Sequence, residues 1–478
     1  MNNKKVLFIV FVLFLLVDFS YSFLQFYYTP LDGDMAGGII PSDGVKEIFK
    51  DPFGLAVIIN DQRHPNPNRF FAHLFFRDYF QNIPLLFQNI INPIDSVYAA
   101  SASIKLVLQL LITYLLSAVI SKSKSVFNLK FILVAVLLTP LFQSYGYNGY
   151  MGIIDKSVTY TFFYILPLML LLLFFSPFYT YVYDAEYKKL NKITKIWLLA
   201  LVIILPFSGP LIPPLILITS LLVFVYFVKS HYKTHNNYYV FKSIPKDVLM
   251  FFIPICILSV YSLILGTYNS TYLTDVVPLS ERYLRLPLGV YYQFTQKLGL
   301  PLLCILIAVN IGVIKKYFFD LKARSIITSL KWVGAFSIIY IFLLPLGGYR
   351  PYRPNVLRYD TIMPITICLL YIYGVSTLFL LENIKKRKNI YYIVIATFLM
   401  IFTNADKSKL NENECEKQAL LKIANSEDQI VPLHDNCRVI SWIPIRDFKQ
   451  SQLNGELLKI WNITDGIKLY YNETEIQE

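Results

Sequence analysis

Long apolar stretches alternate with short polar segments along most of this chain of 478 residues. A run of about 20 apolar residues can cross the hydrocarbon core of a bilayer as a helix, and a shorter run can do so where the bilayer is thinned. Eleven candidate stretches lie near residues 6–24, 96–120, 127–145, 158–182, 196–207, 211–229, 247–268, 298–314, 332–346, 360–381 and 390–404. The pattern therefore predicts an all-α protein, a polytopic bundle of about eleven transmembrane helices.

Two of these assignments depend on local detail. The N-terminus resembles a signal peptide, but its apolar character continues to Leu24 without a small-residue cleavage site, so we expect a retained first span. The stretch 196–229 is either one kinked helix or a hairpin that turns at Ser208-Gly209-Pro210. Lys195 precedes the stretch and Lys229 ends it, which favours the hairpin because lysines on both flanks place both ends on one side.

Lysine and arginine are concentrated in one set of loops, which predicts the orientation of the chain. Only 16% of residues are charged, against about 25% in soluble domains, and the net charge is +13. The basic loops are those near 4–5, 122–124, 188–195, 229–246, 315–331 and 385–388. By the positive-inside rule these loops and the N-terminus are cytoplasmic, and the C-terminus is extracytoplasmic. Basic residues beside spans suit membrane lipids as partners rather than nucleic acid.

Two segments on the predicted outer face are too long to be simple connections. The first outer loop, 25–95, contains amphipathic helical patterns, and the polar tail, 405–478, is expected to form a small extracytoplasmic unit beside a transmembrane domain of residues 1–404. Cys415 and Cys437 lie in the tail, where an oxidising compartment would allow a disulfide between them.

The first candidate for chemistry is Asp32-Gly33-Asp34, just after the first span on the outer face. A carboxylate there could act as a general base toward an acceptor hydroxyl. The pair could also hold a divalent cation, and no other cofactor is indicated. An ordinary Asp-Gly turn is the structural alternative.

Further polar residues of the outer loops are candidates for substrate binding. Asp155 opens the fourth stretch, where it either faces a cavity or caps the helix. The outer-loop arginines are not explained by orientation, so either a bound anion or lipid head groups are expected beside them. The complete set of binding candidates is Asp155, Arg63, His64, Arg69, Arg350, Arg353, Arg358 and Tyr359.

This arrangement resembles the GT-C superfamily of integral-membrane glycosyltransferases, which use polyprenyl-phosphate-linked sugars. The resemblance rests on an acidic motif in a long first outer loop, the multi-span architecture of residues 1–404, and Arg358-Tyr359 opening a late span. It implies that Asp32 or Asp34 is the catalytic base. It also implies that Arg350, Arg353 and Arg358 hold the lipid phosphate. The expected partners are a lipid-linked sugar donor, a glycan, lipid or protein acceptor, and membrane lipids.

Other classes of membrane protein remain open at this point. A transporter or flippase of lipid-linked glycans would place ionisable groups within its spans, which here are almost uncharged apart from Asp18 and Lys105. A glycan polymerase or ligase would also use outer-loop arginines but would not need the first-loop aspartates. A non-catalytic scaffold is the simplest alternative. The chain has no Walker loop, so an ATP-driven pump is not expected.

Overall fold

A computed structural model describes residues 3–183, 190–231, 244–272, 277–347 and 355–473. Helices dominate these residues, and the all-α prediction is confirmed. The N-terminal half contains α1 (Asn3–Tyr27), α2 (Met35–Ile39), α3 (Asp43–Lys50), α4 (Leu55–Ile59), α5 (Phe70–Phe87), α6 (Pro93–Ser121), α7 (Leu129–Leu138), α8 (Asn148–Met151), α9 (Val158–Tyr160), α10 (Leu166–Tyr183), α11 (Lys192–Ile204) and α12 (Ile212–His231). The C-terminal half contains α13 (Lys246–Thr267), α14 (Leu279–Thr295), α15 (Gly299–Tyr317), α16 (Leu321–Leu343), α17 (Tyr359–Asn383), α18 (Lys388–Ala405), α19 (Glu414–Asn425) and α20 (Gln452–Ile460).

Within the described ranges, nine helical segments are long and apolar enough to cross a membrane. They are Lys4–Tyr27, Pro93–Ser121, Val158–Tyr179, Ile212–Lys229, Lys246–Thr267, Gly299–Tyr317, Leu321–Leu346, Tyr359–Asn383 and Lys388–Ala405. These helices indicate a multi-pass integral membrane protein. The other two predicted stretches form shorter helices, Leu129–Leu141 and Lys192–Ile204, so a total of eleven spans stays a prediction.

The proline-rich stretch after residue 195 forms two helices, α11 and α12. Lys195 Nζ lies 2.7 Å from Asp247 Oδ1 near the starts of α11 and α13, and Ser262 Oγ donates to the Pro206 carbonyl near their ends. Helices α11 and α13 are therefore parallel. Helix α12 begins beside Pro206 and packs along α13, which indicates that it runs back in the opposite direction. Gly209, with a φ of 125°, provides the backbone conformation for the turn.

The tail is built on the first loop. Two short parallel strands, β1 (Ile430–Leu433) and β2 (Leu469–Asn472), pair with Ile430 opposite Leu469. Side chains of α19 and α20 share one hydrophobic cluster with Met35 and Phe76 of the first loop. Fully buried Trp461 donates its indole N–H to the Phe80 carbonyl at 2.9 Å. The tail and the first loop thus form a single packed unit, although they belong to opposite ends of the chain.

One buried carboxylate joins this unit to the membrane helices. Glu416 is 2% exposed and accepts hydrogen bonds from Leu31 N, from Tyr98 Oη of α6 and from Ile440 N, each at 2.8 Å. Next to it, Cys415 and Cys437 are joined by a disulfide with their Cα atoms 5.7 Å apart. The start of α19 is therefore fixed to the first loop, to a span and to the remainder of the tail.

Candidate functional site

A cavity of about 930 Å³, the main cavity, lies where the first loop, the tail and the ends of four candidate spans meet. Five of the residues selected from the sequence line it. They are Asp34, Arg69, Asp155, Arg358 and Tyr359. They come from segments up to about 325 residues apart, so the fold gathers groups that the sequence separates.

Asp32 does not line the main cavity and is instead a structural anchor. Its Oδ2 accepts from Ser157 Oγ at 2.8 Å and from Thr159 N at 3.0 Å. Its Oδ1 accepts from Thr159 Oγ1 at 2.7 Å and from Asp34 N at 3.1 Å. The side chain is 4% exposed. Asp32 therefore ties the first loop to the start of α9, and a helix N-terminus suits a carboxylate.

Asp34 faces the main cavity instead. It is exposed and lies immediately before α2. The preceding Gly33 lies against the tail, because a Cβ atom there would be 2.5 Å from the backbone nitrogen of Trp442. The missing side chain of Gly33 lets the tail pack directly on the acidic turn. Of the two carboxylates, Asp34 is the one that a substrate in the main cavity can reach.

Asp155 supplies a second carboxylate to the main cavity. Its Oδ1 accepts from Ser157 N at 2.7 Å. Burial raises the pKa of the Asp155 carboxyl, while that hydrogen bond and the nearby charge of Lys105 act in the opposite direction. The Lys105 ammonium is buried below this loop and donates to the Lys156 carbonyl. Asp155 is thus held in a fixed turn at the mouth of a candidate span.

Arg358 also lines the main cavity, but most of its guanidinium is already bound. Its Nε lies 2.5 Å from Asp360 Oδ1 and its Nη2 lies 2.8 Å from Asp360 Oδ2. The Asp360 side chain is fully buried, and a buried carboxylate requires such a partner. The backbone N–H of Arg358 donates to Thr361 Oγ1 at 2.9 Å. Arg358 therefore closes the start of α17 while it borders the main cavity.

Arg69 enters the main cavity from the start of α5. Its guanidinium carbon lies 5.4 Å from the ring centroid of Phe163 and 5.9 Å from that of Tyr164. One turn later, the ring of His73 meets Phe163 edge-on at 4.7 Å. Burial, together with the charge of Arg69, lowers the pKa of His73 to about 3. His73 is therefore neutral at physiological pH.

An aromatic wall completes the main cavity. Tyr160 stacks on Tyr359 with ring centroids 6.3 Å apart, and it lies at the same distance from Trp442 of the tail. Residues 161–165, after Tyr160, form a π-helical turn, a feature that often marks functional sites because it redirects side chains. The turn brings Phe163 and Tyr164 to the wall of the main cavity.

The remaining sequence candidates lie elsewhere. Arg63 and His64 do not line the main cavity, and the His64 carbonyl instead accepts from Ser270 N at 3.0 Å. His64 belongs to the junction between the first loop and the end of α13, and its neighbour Arg63 is exposed. Arg350 and Arg353 lie outside the described residues.

The acidic turn does not form a protein metal site with other described residues. A three-ligand group does occur among them at Cys415, Asp435 and Cys437, but its two sulfurs form the disulfide. The Asp32 oxygens already accept hydrogen bonds from protein groups. The described residues therefore do not fit a divalent cation held by Asp32 and Asp34.

Sequence reasoning missed several residues of this site. Ser157 and Thr159 follow Asp155 at a helix start, and this cluster of short polar side chains was a usable signal. Asp360, two residues after Arg358, was also visible as a potential partner. Trp442 had no local signal, because its place in the wall depends on the packing of the tail.

No protein-family model, curated protein or solved structure matches this chain.

Proposed function

We propose that this chain is a membrane glycosyltransferase that moves a sugar from a polyprenyl-phosphate carrier to an acceptor. The observation that carries the proposal is the content of the main cavity. The carboxylates of Asp34, Asp155 and Asp360 line it together with the guanidinium groups of Arg69 and Arg358, and Asp360 is paired with Arg358. Acidic groups suit hydroxyl activation and sugar binding, and cationic groups suit a phosphate leaving group.

In the proposed reaction Asp34 is the general base. Its carboxylate accepts the proton of an acceptor hydroxyl as that oxygen forms a bond to the anomeric carbon of the donor sugar. The bond between that carbon and the phosphate oxygen breaks, and its electron pair leaves with the polyprenyl phosphate. Asp155 is placed to hydrogen-bond the hydroxyl groups of the sugar.

The position of the main cavity supports a lipid-linked donor. It lies at the ends of candidate spans, with apolar side chains such as Leu211 and Leu344 in its lining. A polyprenyl chain could remain in the hydrocarbon region while its phosphate and sugar enter the main cavity. The acceptor would be a glycan, a lipid or a protein, and a cell-envelope glycan is the broad product class.

The distribution of basic residues supports the orientation of this site. The lysine-rich loops are at the opposite ends of the spans from the first loop and the tail. We therefore place the N-terminus in the cytoplasm, and the C-terminus and the main cavity on the extracytoplasmic side.

The test is transfer from a panel of polyprenyl-phosphate sugars, normalised to monodisperse protein. Loss of a general base typically costs ~10²–10⁴-fold in rate, so Asp34→Asn should reduce turnover by about that factor with donor binding nearly unchanged. Asp61→Asn is the matched control, because Asp61 is exposed and away from the main cavity. Asp32→Asn should lower the thermal midpoint instead, because Asp32 accepts hydrogen bonds through both oxygens.

Full normalised turnover in Asp34→Asn would remove the catalytic role of this residue. Assays with and without a chelator test whether transfer requires a cation. Activity that the chelator abolishes and that only a divalent ion restores would indicate a metal bound partly by the substrate. If the wild-type protein transfers no sugar but moves the intact lipid-linked sugar across proteoliposomes, the transporter alternative is supported.

A further inference from the structure

The cationic side chains that line the main cavity differ in how their charges are balanced. Arg358 is paired with Asp360 through both carboxylate oxygens. Lys156 lies 3.4 Å from Glu412 and also lies over the ring of Tyr145. Among the described residues, no carboxylate lies within ion-pair distance of Arg69. Of these three cationic side chains, Arg69 is therefore the one whose charge no described carboxylate balances, and an anionic ligand can balance it.

The surroundings of Arg69 hold its side chain in place without satisfying all of its hydrogen-bond donors. Its side chain lies between two aromatic rings and the turn at Gly209, whose position for a Cβ atom is 3.7 Å from Arg69 Cγ. The Nε of Arg69 is buried without a hydrogen-bond partner among the residues that the structure describes. So is Nδ1 of His73, whose side chain is 7% exposed. Buried polar atoms of this kind are uncommon unless a ligand or water completes them.

We propose that Arg69, with His73 beside it, binds the phosphoryl group of the substrate, and that Arg358 instead positions the start of α17. This inference rests on the proposed function and deepens it by assigning the phosphate to one end of the main cavity. It also replaces the expectation that Arg358 holds the lipid phosphate.

The chemistry of the two residues suits a phosphoryl group. A guanidinium presents several N–H donors in a planar fork that matches two phosphate oxygens. A neutral imidazole can donate one further hydrogen bond without adding charge. The guanidinium carbon lies over the rings of Phe163 and Tyr164, and these neighbours restrict the motion of the side chain, which reduces the entropy lost on binding.

The experiment compares three probes on the purified full chain in detergent by isothermal titration calorimetry: farnesyl phosphate, farnesol and inorganic phosphate. The variants are Arg69→Gln and Arg69→Lys. The matched control is Arg77→Gln, because Arg77 lies in α5, which Arg69 immediately precedes, is paired with Asp78 and does not line the main cavity. Thermal unfolding of each variant verifies that it is folded.

The wild-type protein and Arg77→Gln should bind farnesyl phosphate more tightly than farnesol. Hydrogen bonds to charged groups are worth about 1.5–3 kcal/mol, so Arg69→Gln should weaken farnesyl phosphate binding by about 10–100-fold and leave farnesol binding unchanged. The affinity of Arg69→Lys for farnesyl phosphate should lie between those of the wild-type protein and Arg69→Gln, because lysine keeps the charge but lacks the planar fork of N–H donors.

Each other outcome has a definite meaning. If Arg69→Gln keeps the preference for the phosphate over the alcohol, the assignment of Arg69 is wrong while the proposed function survives. If the wild-type protein shows no such preference, both are contradicted. If inorganic phosphate binds as tightly as farnesyl phosphate and depends on Arg69, the anion site is upheld and the lipid-linked donor is contradicted.

Discussion

Asp32 and Asp34 carry the same side chain two residues apart, and the fold gives them different surroundings. Asp32 is 4% exposed and accepts hydrogen bonds from Ser157 and Thr159, whereas Asp34 is exposed to the main cavity. A buried carboxylate with filled acceptor sites serves stability, and an accessible one can exchange protons with a substrate. The sequence identified both aspartates as candidates but could not show which one is buried, because the hydrogen-bond partners of Asp32 lie about 125 residues away.

The local sequence contains information about the role of Arg358 but not about that of Arg69. Arg358 and Asp360 are close enough in the chain to pair at a helix start, and they do so. Arg69 was selected only as one of several polar residues of the first loop. Its lack of a carboxylate partner among the described residues depends on what surrounds it, which no local pattern encodes.

The residue-scale prediction concerns Glu416. Burial raises the pKa of Glu416 from its ordinary 4.5 to about 7, although hydrogen bonds from Ile440, Leu31 and Tyr98 oppose this. The folded chain therefore binds this proton more tightly than the unfolded chain. The resulting stabilisation is present below about pH 4.5 and is lost as the pH rises through about 7.

Thermal midpoints followed by tryptophan fluorescence between pH 5 and 8 test this point. The wild-type midpoint should fall with rising pH, and Glu416→Gln should remove part of that slope because an amide does not titrate. Glu414→Gln, at an exposed position of the same helix, should keep the wild-type slope. Equal slopes in all three proteins would show that Glu416 does not titrate in this range.

At the scale of elements, hydrophobic patterning located the long helices well. Each predicted stretch contains a helix, because a chain inside a bilayer must satisfy its backbone hydrogen bonds within the segment. The π-helical turn at 161–165 was not predicted, since its extra residue per turn leaves no signal in an evenly apolar run. That turn places two aromatic side chains beside Arg69, so the unpredicted irregularity contributes to the site.

The element-scale prediction uses two glycines of the first loop. A Cβ atom on Gly33 would be 2.5 Å from Trp442 N, whereas one on Gly37 would meet only Ser42 Cβ at 4.0 Å. Gly33→Ala should therefore weaken the docking of the tail by about 1–3 kcal/mol, the usual cost of overpacking. Limited proteolysis should cut the tail of this variant faster than that of the wild type. Cleavage of Gly33→Ala at the rate of Gly37→Ala would show that the contact does not constrain the tail.

At the scale of the molecule, the packing of the tail on the first loop could not be predicted from the sequence. The composition of the tail predicted a small extracytoplasmic unit, and it gave no sign of the hydrophobic cluster that the helices of the tail share with the first loop. The hydrogen bond from Trp461 to Phe80 joins residues 381 positions apart. Such pairing depends on the shape of both surfaces, and an apolar residue in either segment does not reveal its partner.

The whole-molecule prediction is the orientation. Single cysteines would replace exposed Asp61, Lys449, Lys124 and Lys386 in a background without Cys256, Cys304 and Cys368. An impermeant maleimide applied to intact cells should label positions 61 and 449. Positions 124 and 386 should react only after permeabilisation, because basic loops stay in the cytoplasm. Labelling of position 124 in intact cells would reverse the assignment.

The junction between the first loop and the tail also sets an order of events during biosynthesis. The acidic turn leaves the ribosome early, but Trp442 and Glu416, which cover and anchor it, follow more than 300 residues later. At roughly 5–20 residues per second, that interval is on the order of tens of seconds. A nascent chain already inserted in the membrane would thus hold an unfinished main cavity until the tail has been synthesised and has packed on the first loop.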